Sequence, residues 1–77
     1  MTEVKLAQFG MGMLEGTVVA WHKRVGDAVV AGELLADVEA AKSTCEIVAP
    51  VGGTLVAVHV AVDETVPIHT VLATIDP

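Results

Sequence analysis

The chain has 77 residues, four Lys or Arg against ten Asp or Glu, and a formal net charge of −6. That length allows one domain and excludes barrel enzymes and two-domain dinucleotide enzymes. The acidic balance repels nucleic acid and anionic lipid, so the expected partners are proteins or small molecules. A single Cys45 cannot form an internal disulfide. No apolar run reaches the ~18 residues of a membrane span. The N-terminus lacks the basic and apolar regions of a signal peptide. The expected location is the cytoplasm, either free or as part of a larger protein. Apolar residues make up 53% of the chain, but Phe9 and Trp21 are the only aromatics. The core must therefore come from aliphatic residues, with 15 valines supplying β-branched side chains suited to strands.

Taken in chain order, the first expected strand is Val4 to Gln8. A Gly- and Met-rich stretch follows, then a strand from Thr17 to His22. A tight turn at Val25-Gly26-Asp27 leads to a short extended piece, Ala28 to Val30. A second turn at Gly32 opens a longer strand, Leu34 to Glu39. Thr44 to Ala49 is the next strand, ended by Pro50, Gly52 and Gly53. The order then repeats: a strand from Thr54 to Val60, a turn at Val62-Asp63-Glu64, a short piece at Thr65 to Val66, a turn at His69 and a strand from Val71 to Asp76. No segment of ~10 residues has helical apolar spacing. The fold class is all-β, with two small sheets packed face to face.

The second series is the first displaced by 37 residues. Over the 23 ungapped pairs from 16/53 to 38/75, nine are identical. Gly16-Thr17-Val18-Val19-Ala20-Trp21-His22 lies over Gly53-Thr54-Leu55-Val56-Ala57-Val58-His59. Two copies are too few for a solenoid. They imply one domain over 1–77 with halves of about 2–38 and 39–75, related by a pseudo-twofold axis.

Lys42 falls at or beside the tip of the hairpin joining the two halves, flanked by Glu39, Ala40, Ala41, Ser43 and Glu46. The symmetry mate of that hairpin is where the chain begins and ends. Lys42 and the termini should therefore lie at opposite ends. Read on its residues alone, Lys42 is either an ordinary solvated turn lysine or a presented nucleophile.

The Phe9-Gly10-Met11-Gly12-Met13-Leu14-Glu15-Gly16 run, Trp21, Val25-Gly26-Asp27-Ala28-Val29, Gly32, Val38-Glu39, Lys42, Glu46, Ala49-Pro50-Val51 and Gly53 resemble a lipoyl domain of the biotinyl/lipoyl carrier family. The likeness covers nearly the whole chain. It implies a flattened barrel-sandwich of two sheets and covalent lipoate on Lys42, with no catalysis by the domain itself. The implied role is a swinging arm in a 2-oxo acid dehydrogenase complex. By the same resemblance, a thiamine-diphosphate-dependent dehydrogenase would reductively acylate the arm. An acyltransferase core would pass the acyl group to CoA, and the flavoprotein dihydrolipoamide dehydrogenase would reoxidise the dithiol. A lipoate ligase or lipoyl transferase would attach the cofactor. In such domains the Gly-Met loop lies beside the lysine hairpin, making Met11, Met13 and Leu14 candidates for partner contact, for covering the arm, or simply for closing the end of the core; Glu39 and Glu46, with the net −6 surface, are the candidates for partner electrostatics.

The tip departs from the family pattern. Lipoyl domains usually carry Asp-Lys-Ala and biotinyl domains Met-Lys-Met, whereas this chain has Ala41-Lys42-Ser43. Lipoyl is favoured because both biotinyl methionines are missing and the Gly10-to-Gly16 run and Trp21 resemble the lipoyl N-terminal half. A biotin carboxyl carrier domain biotinylated on Lys42 and an unmodified interaction module remain as alternatives.

The remaining features suggest no second chemistry. Gly10, Gly12 and Gly16 do not have the spacing of a nucleotide loop, and no helix follows. His22 and His59 are repeat mates, so they should sit on opposite sides rather than share a metal. Cys45 alternates with Ile47 and Ala49 and is expected to face inward as a small buried hydrophobe.

Overall fold

The computed structural model describes residues 1–7, 14–40 and 43–77. Among these described residues, eight strands run in the order β1 (Thr2–Lys5), β2 (Glu15–Trp21), β3 (Ala28–Val29), β4 (Leu34–Ala40), β5 (Ser43–Val48), β6 (Gly53–Val58), β7 (Thr65–Pro67) and β8 (Val71–Asp76). They form two four-stranded antiparallel sheets, β1-β8-β6-β3 and β5-β4-β2-β7. The all-β, two-sheet expectation is therefore met.

The pseudo-twofold relation extends through the strand orders and the hydrogen bonds. β1, β8, β6 and β3 of one sheet correspond to β5, β4, β2 and β7 of the other. Gly26 N–H donates to Leu55 O at 2.7 Å, and its mate Asp63 N–H donates to Val18 O at 2.6 Å. His22 N–H donates to Leu35 O at 2.7 Å, while His59 N–H donates to Leu72 O at 2.8 Å. The short strands are exchanged between halves. β3 pairs with β6, and β7 pairs with β2. Neither half is complete without the other.

Leu6, Val18, Leu35, Val38, Leu55, Leu72 and Ile75 are the largest fully buried side chains. A strict strand alternation would bury every second residue. Here Leu35-Ala36 and Leu72-Ala73 are buried as consecutive pairs. The register shifts between Leu34 and Ala36 against β5, and between Val4 and Lys5 against β8. Such bulges let both neighbours face the core.

Strand ends differ from the sequence expectation in places. β1 begins at Thr2 because Thr2 already pairs with Ile75, and it ends at Lys5. β2 starts at Glu15, because β7 pairs with it from Glu15↔Pro67 onward. β6 stops at Val58, after which His59 N–H bonds across to Leu72 O. Gly53 lies inside β6 rather than before it.

Candidate functional site

β4 and β5 form a continuous ladder up to Ala40↔Ser43, with Glu39↔Thr44 and Val38↔Cys45 behind it. Positions 41 and 42 alone separate the paired Ala40 and Ser43. Both Ala41 and Lys42 lie outside the described residues, as do Met11 and Met13. The described part of the site is the frame around position 42. The strands form here because β4 and β5 alternate apolar residues inward with polar residues outward: Val38 and Ile47 are buried while Glu39, Thr44 and Glu46 are exposed.

The register brings other candidates to this end. Thr17 pairs with Glu39, so continuing β2 back to Glu15 carries the chain past the end of β4 at Ala40. Leu14, just before Glu15, is 76% exposed and accepts the Ile68 N–H at 3.0 Å. Leu14, Glu15 and Glu39 thus stand on adjoining strand ends beside the hairpin. Glu46 lies further along, directly opposite Asp37 across the ladder. Asp37 also meets the ring of His22, with Nε2 to Oδ2 at 2.9 Å. Sequence reading named Glu15 only as part of the Phe9-to-Gly16 run and did not single out Asp37. Their place becomes visible only once the register is known.

The symmetry mate of this hairpin is the pair β8 and β1, with Ile75↔Thr2 standing where Val38↔Cys45 stands. β1 and β8 are also the first and last strands of the described chain. Among the other basic side chains, Lys23 Nζ lies 2.8 Å from Glu33 Oε2, and Lys5 Nζ lies 3.9 Å from Glu3 Oε1. The Glu33 hydrogen bond holds the Lys23 ammonium above its ordinary pKa. Lys23 and the Val30 N–H together hold the Glu33 carboxyl below its ordinary value.

Cys45 is half-buried, not fully buried as its alternation with Ile47 and Ala49 suggested. In β5 it is the residue on the Ile47 side nearest the hairpin connection. Trp21 packs against the core and its Nε1–H donates to Val60 O at 2.8 Å. His22 and His59 sit on different sheets, His59 Nε2 lying 3.0 Å from Thr74 Oγ1. Among the described residues, no group of three or more His, Cys, Asp or Glu could hold a metal ion.

A family model described as "Biotin-requiring enzyme" (biotin/lipoyl) matches residues 2–75. The chain belongs to the biotin/lipoyl attachment family. The solution structure of the lipoyl domain of the 2-oxoglutarate dehydrogenase complex from Azotobacter vinelandii superposes with a TM-score of 0.75, 28% identity and 96% coverage of both chains. A dihydrolipoyllysine-residue acetyltransferase component of the pyruvate dehydrogenase complex from Acholeplasma laidlawii is 41% identical over 99% of this chain and 14% of its own length. The corresponding Corynebacterium glutamicum protein is 39% identical over 96% of this chain and 11% of its own. The acetyltransferase component of the acetoin cleaving system from Bacillus subtilis is 40% identical, over 91% and 18%. The chain thus spans less than a fifth of the length of these relatives. Within the family it is a lipoyl domain, a carrier module. No helix among the described residues is long and apolar enough to cross a membrane.

Proposed function

We propose that Lys42 carries lipoate in amide linkage and that the domain serves as the swinging arm of a 2-oxo acid dehydrogenase complex. The observation that carries this reading is the β4–β5 ladder of a lipoyl-type fold, which closes on Ala40↔Ser43 and leaves only positions 41 and 42 to connect it. The frame fits the group. Ser43 and Glu39 are exposed, and Ala40 is small, so nothing bulky in the described frame obstructs a ligase approaching the connection.

Attachment requires the neutral lysine amine to attack an activated acyl carbonyl, with the leaving group carrying away the carboxyl oxygen. Free lysine titrates near ~10.4, so the ligase must assist deprotonation. The amide removes one positive charge, taking the domain from the formal −6 to −7. When bound, the group supplies redox-active sulfur and acyl-carrying chemistry. The domain supplies rigid presentation and a recognisable surface of Leu14, Glu15, Glu39 and Glu46. Tethering raises the local concentration of the arm at each active site. The partners in this reading are a lipoate ligase or lipoyl transferase, a thiamine-diphosphate-dependent dehydrogenase, an acyltransferase core and dihydrolipoamide dehydrogenase. The setting is cytoplasmic.

The test is intact mass after co-expression with a lipoate ligase and, separately, a biotin ligase. One lipoyl adduct is expected in wild-type protein and none in Lys42→Arg, with both proteins folded. A lipoyl adduct on Lys42→Arg would move the site. A biotin adduct in place of lipoate would reassign the cofactor.

A further inference from the structure

The two sheets leave an open cleft between their edge strands, β1 of one and β5 of the other. It has a volume of about 300 Å³ and is lined by Glu3, Val4, Lys5 and Ala7 on one side and by Cys45 through Val48 and Pro50 on the other. Its walls are mainly apolar, from Val4, Ala7, Ile47 and Val48. That volume is at the low end for a ligand site, suited to something slim rather than to a drug-sized ring system. β5 is the strand that begins at the hairpin connection, and Cys45 is the first of its residues to line the cleft.

We infer that this cleft is a resting site for the cofactor arm of the same domain, with the alkyl chain along β5 and the ring near Cys45. The inference rests on the lipoylation of Lys42 proposed above. Three residues of strand separate positions 42 and 45, about 10 Å at ~3.3 Å per residue. A lipoyl-lysine side chain has about ten bonds of ~1.5 Å between the backbone and its ring, enough to cover that distance. The occupant is apolar over most of that length and already tethered, so it meets the cleft at high effective concentration. The contact is non-covalent and forms no bond. Burying part of an apolar chain is favourable, but one side of the cleft is open to solvent, so the arm is released when a partner site competes for it.

Cys45 gives a direct readout. Its alkylation by iodoacetamide is measured in unmodified, octanoyl-Lys42 and oxidised lipoyl-Lys42 protein. The octanoyl form separates shielding from sulfur chemistry. Both modified forms should react at least ~3-fold more slowly than the unmodified domain, and Ala7→Asp, which places a carboxylate in the lining, should largely restore the rate. Ala7 is exposed, so this change leaves the core intact. Mass analysis of each sample reports the adduct independently. If no adduct forms on Lys42, the functional reading fails. If the adduct is present and Cys45 reacts at the unmodified rate, the resting site is wrong and the arm stays in solvent.

Discussion

Two turns in each half need a backbone in the left-handed region, and the halves meet that need with different residues. Gly26 (φ +98°) and Gly32 (φ +86°) serve the first, while their mates Asp63 (φ +71°) and His69 (φ +70°) serve the second. An L side chain there costs ~1–2 kcal/mol, with Asp the better tolerated because it bonds locally. His69→Gly should therefore be neutral or stabilise by up to ~1 kcal/mol, the relief being partly offset by glycine's unfolded-state entropy. Gly32→Ala should lose ~1–2 kcal/mol by the same argument. A Cβ at Gly26 or Gly32 meets nothing within 4 Å, so the cost there is purely conformational. Gly53 is different. A Cβ there would stand 2.3 Å from the carbonyl oxygen of Asp76 and 2.7 Å from Pro77 Cα. Backbone cannot retreat as a side chain can, so Gly53→Ala should cost about 3 kcal/mol. Thermal unfolding of the four variants tests the ranking. Equal melting temperatures for Gly26→Ala and Gly53→Ala would contradict it. The turn positions were legible in the sequence because Gly and Asp mark three of them and the repeat carries Gly32 onto the fourth, His69. The close approach at Gly53 was not, because it involves the far end of the chain.

At the scale of elements, the β4–β5 hairpin joins a stability problem to a recognition surface. Asp37 and Glu46 are directly opposed, and like charges across a ladder disfavour pairing by ~0.2–1 kcal/mol. Glu46→Gln should thus slightly raise the melting temperature while, on the proposed function, slowing reductive acylation of the arm. Glu39→Gln should slow transfer without that gain, since its partner is Thr44. Both variants should take up lipoate nearly as wild type does. The kinetic loss should shrink as salt rises, because steering acts on encounter; a salt-independent loss would contradict that role. Changing Ala41 and Ser43 both to Met should improve biotinylation at Lys42. A second contact joins the end of β2 to the start of β4. Glu33, with its pKa lowered by Lys23, contributes stability above its unfolded value near 4.5 and loses it as pH falls through the folded value. Lys23, with its pKa raised, contributes below about 10.5 and loses that as pH climbs through its own folded value. Glu33→Gln should therefore flatten both limbs of the stability profile outside that window. These pairings escape sequence reading because register, not spacing, decides them. The hairpin itself did not escape, since two apolar runs flank a few small residues.

The pseudo-twofold axis organises the whole molecule, and it is the feature that sequence revealed best. A displacement of 37 residues was visible from nine identities, chiefly at Gly16/Gly53, Val29/Val66 and Leu35/Leu72. What it could not reveal was the exchange of β3 and β7 between halves, or the cleft where β1 and β5 leave the sheets open, because both depend on which edges meet. The exchange has a thermodynamic consequence. Each half completes the other's sheet, so neither can unfold alone and the domain should lose structure in one step. Leu35 and Leu72 test this. Both are fully buried, both sit at a bulge beside Ala36 or Ala73, and each carbonyl accepts the N–H of the corresponding histidine. Leu→Ala at such a site costs ~2–5 kcal/mol. A chain of this length holds about 4–12 kcal/mol in total, so either change should bring the domain close to unfolding at 37 °C. Because the environments are mates, the two costs should agree within ~1 kcal/mol, and both variants should show a single transition with an undiminished denaturant slope. A two-step transition, or one variant melting like wild type, would show that the halves are energetically separate. The hairpin at one end would then not be held by the body as a whole.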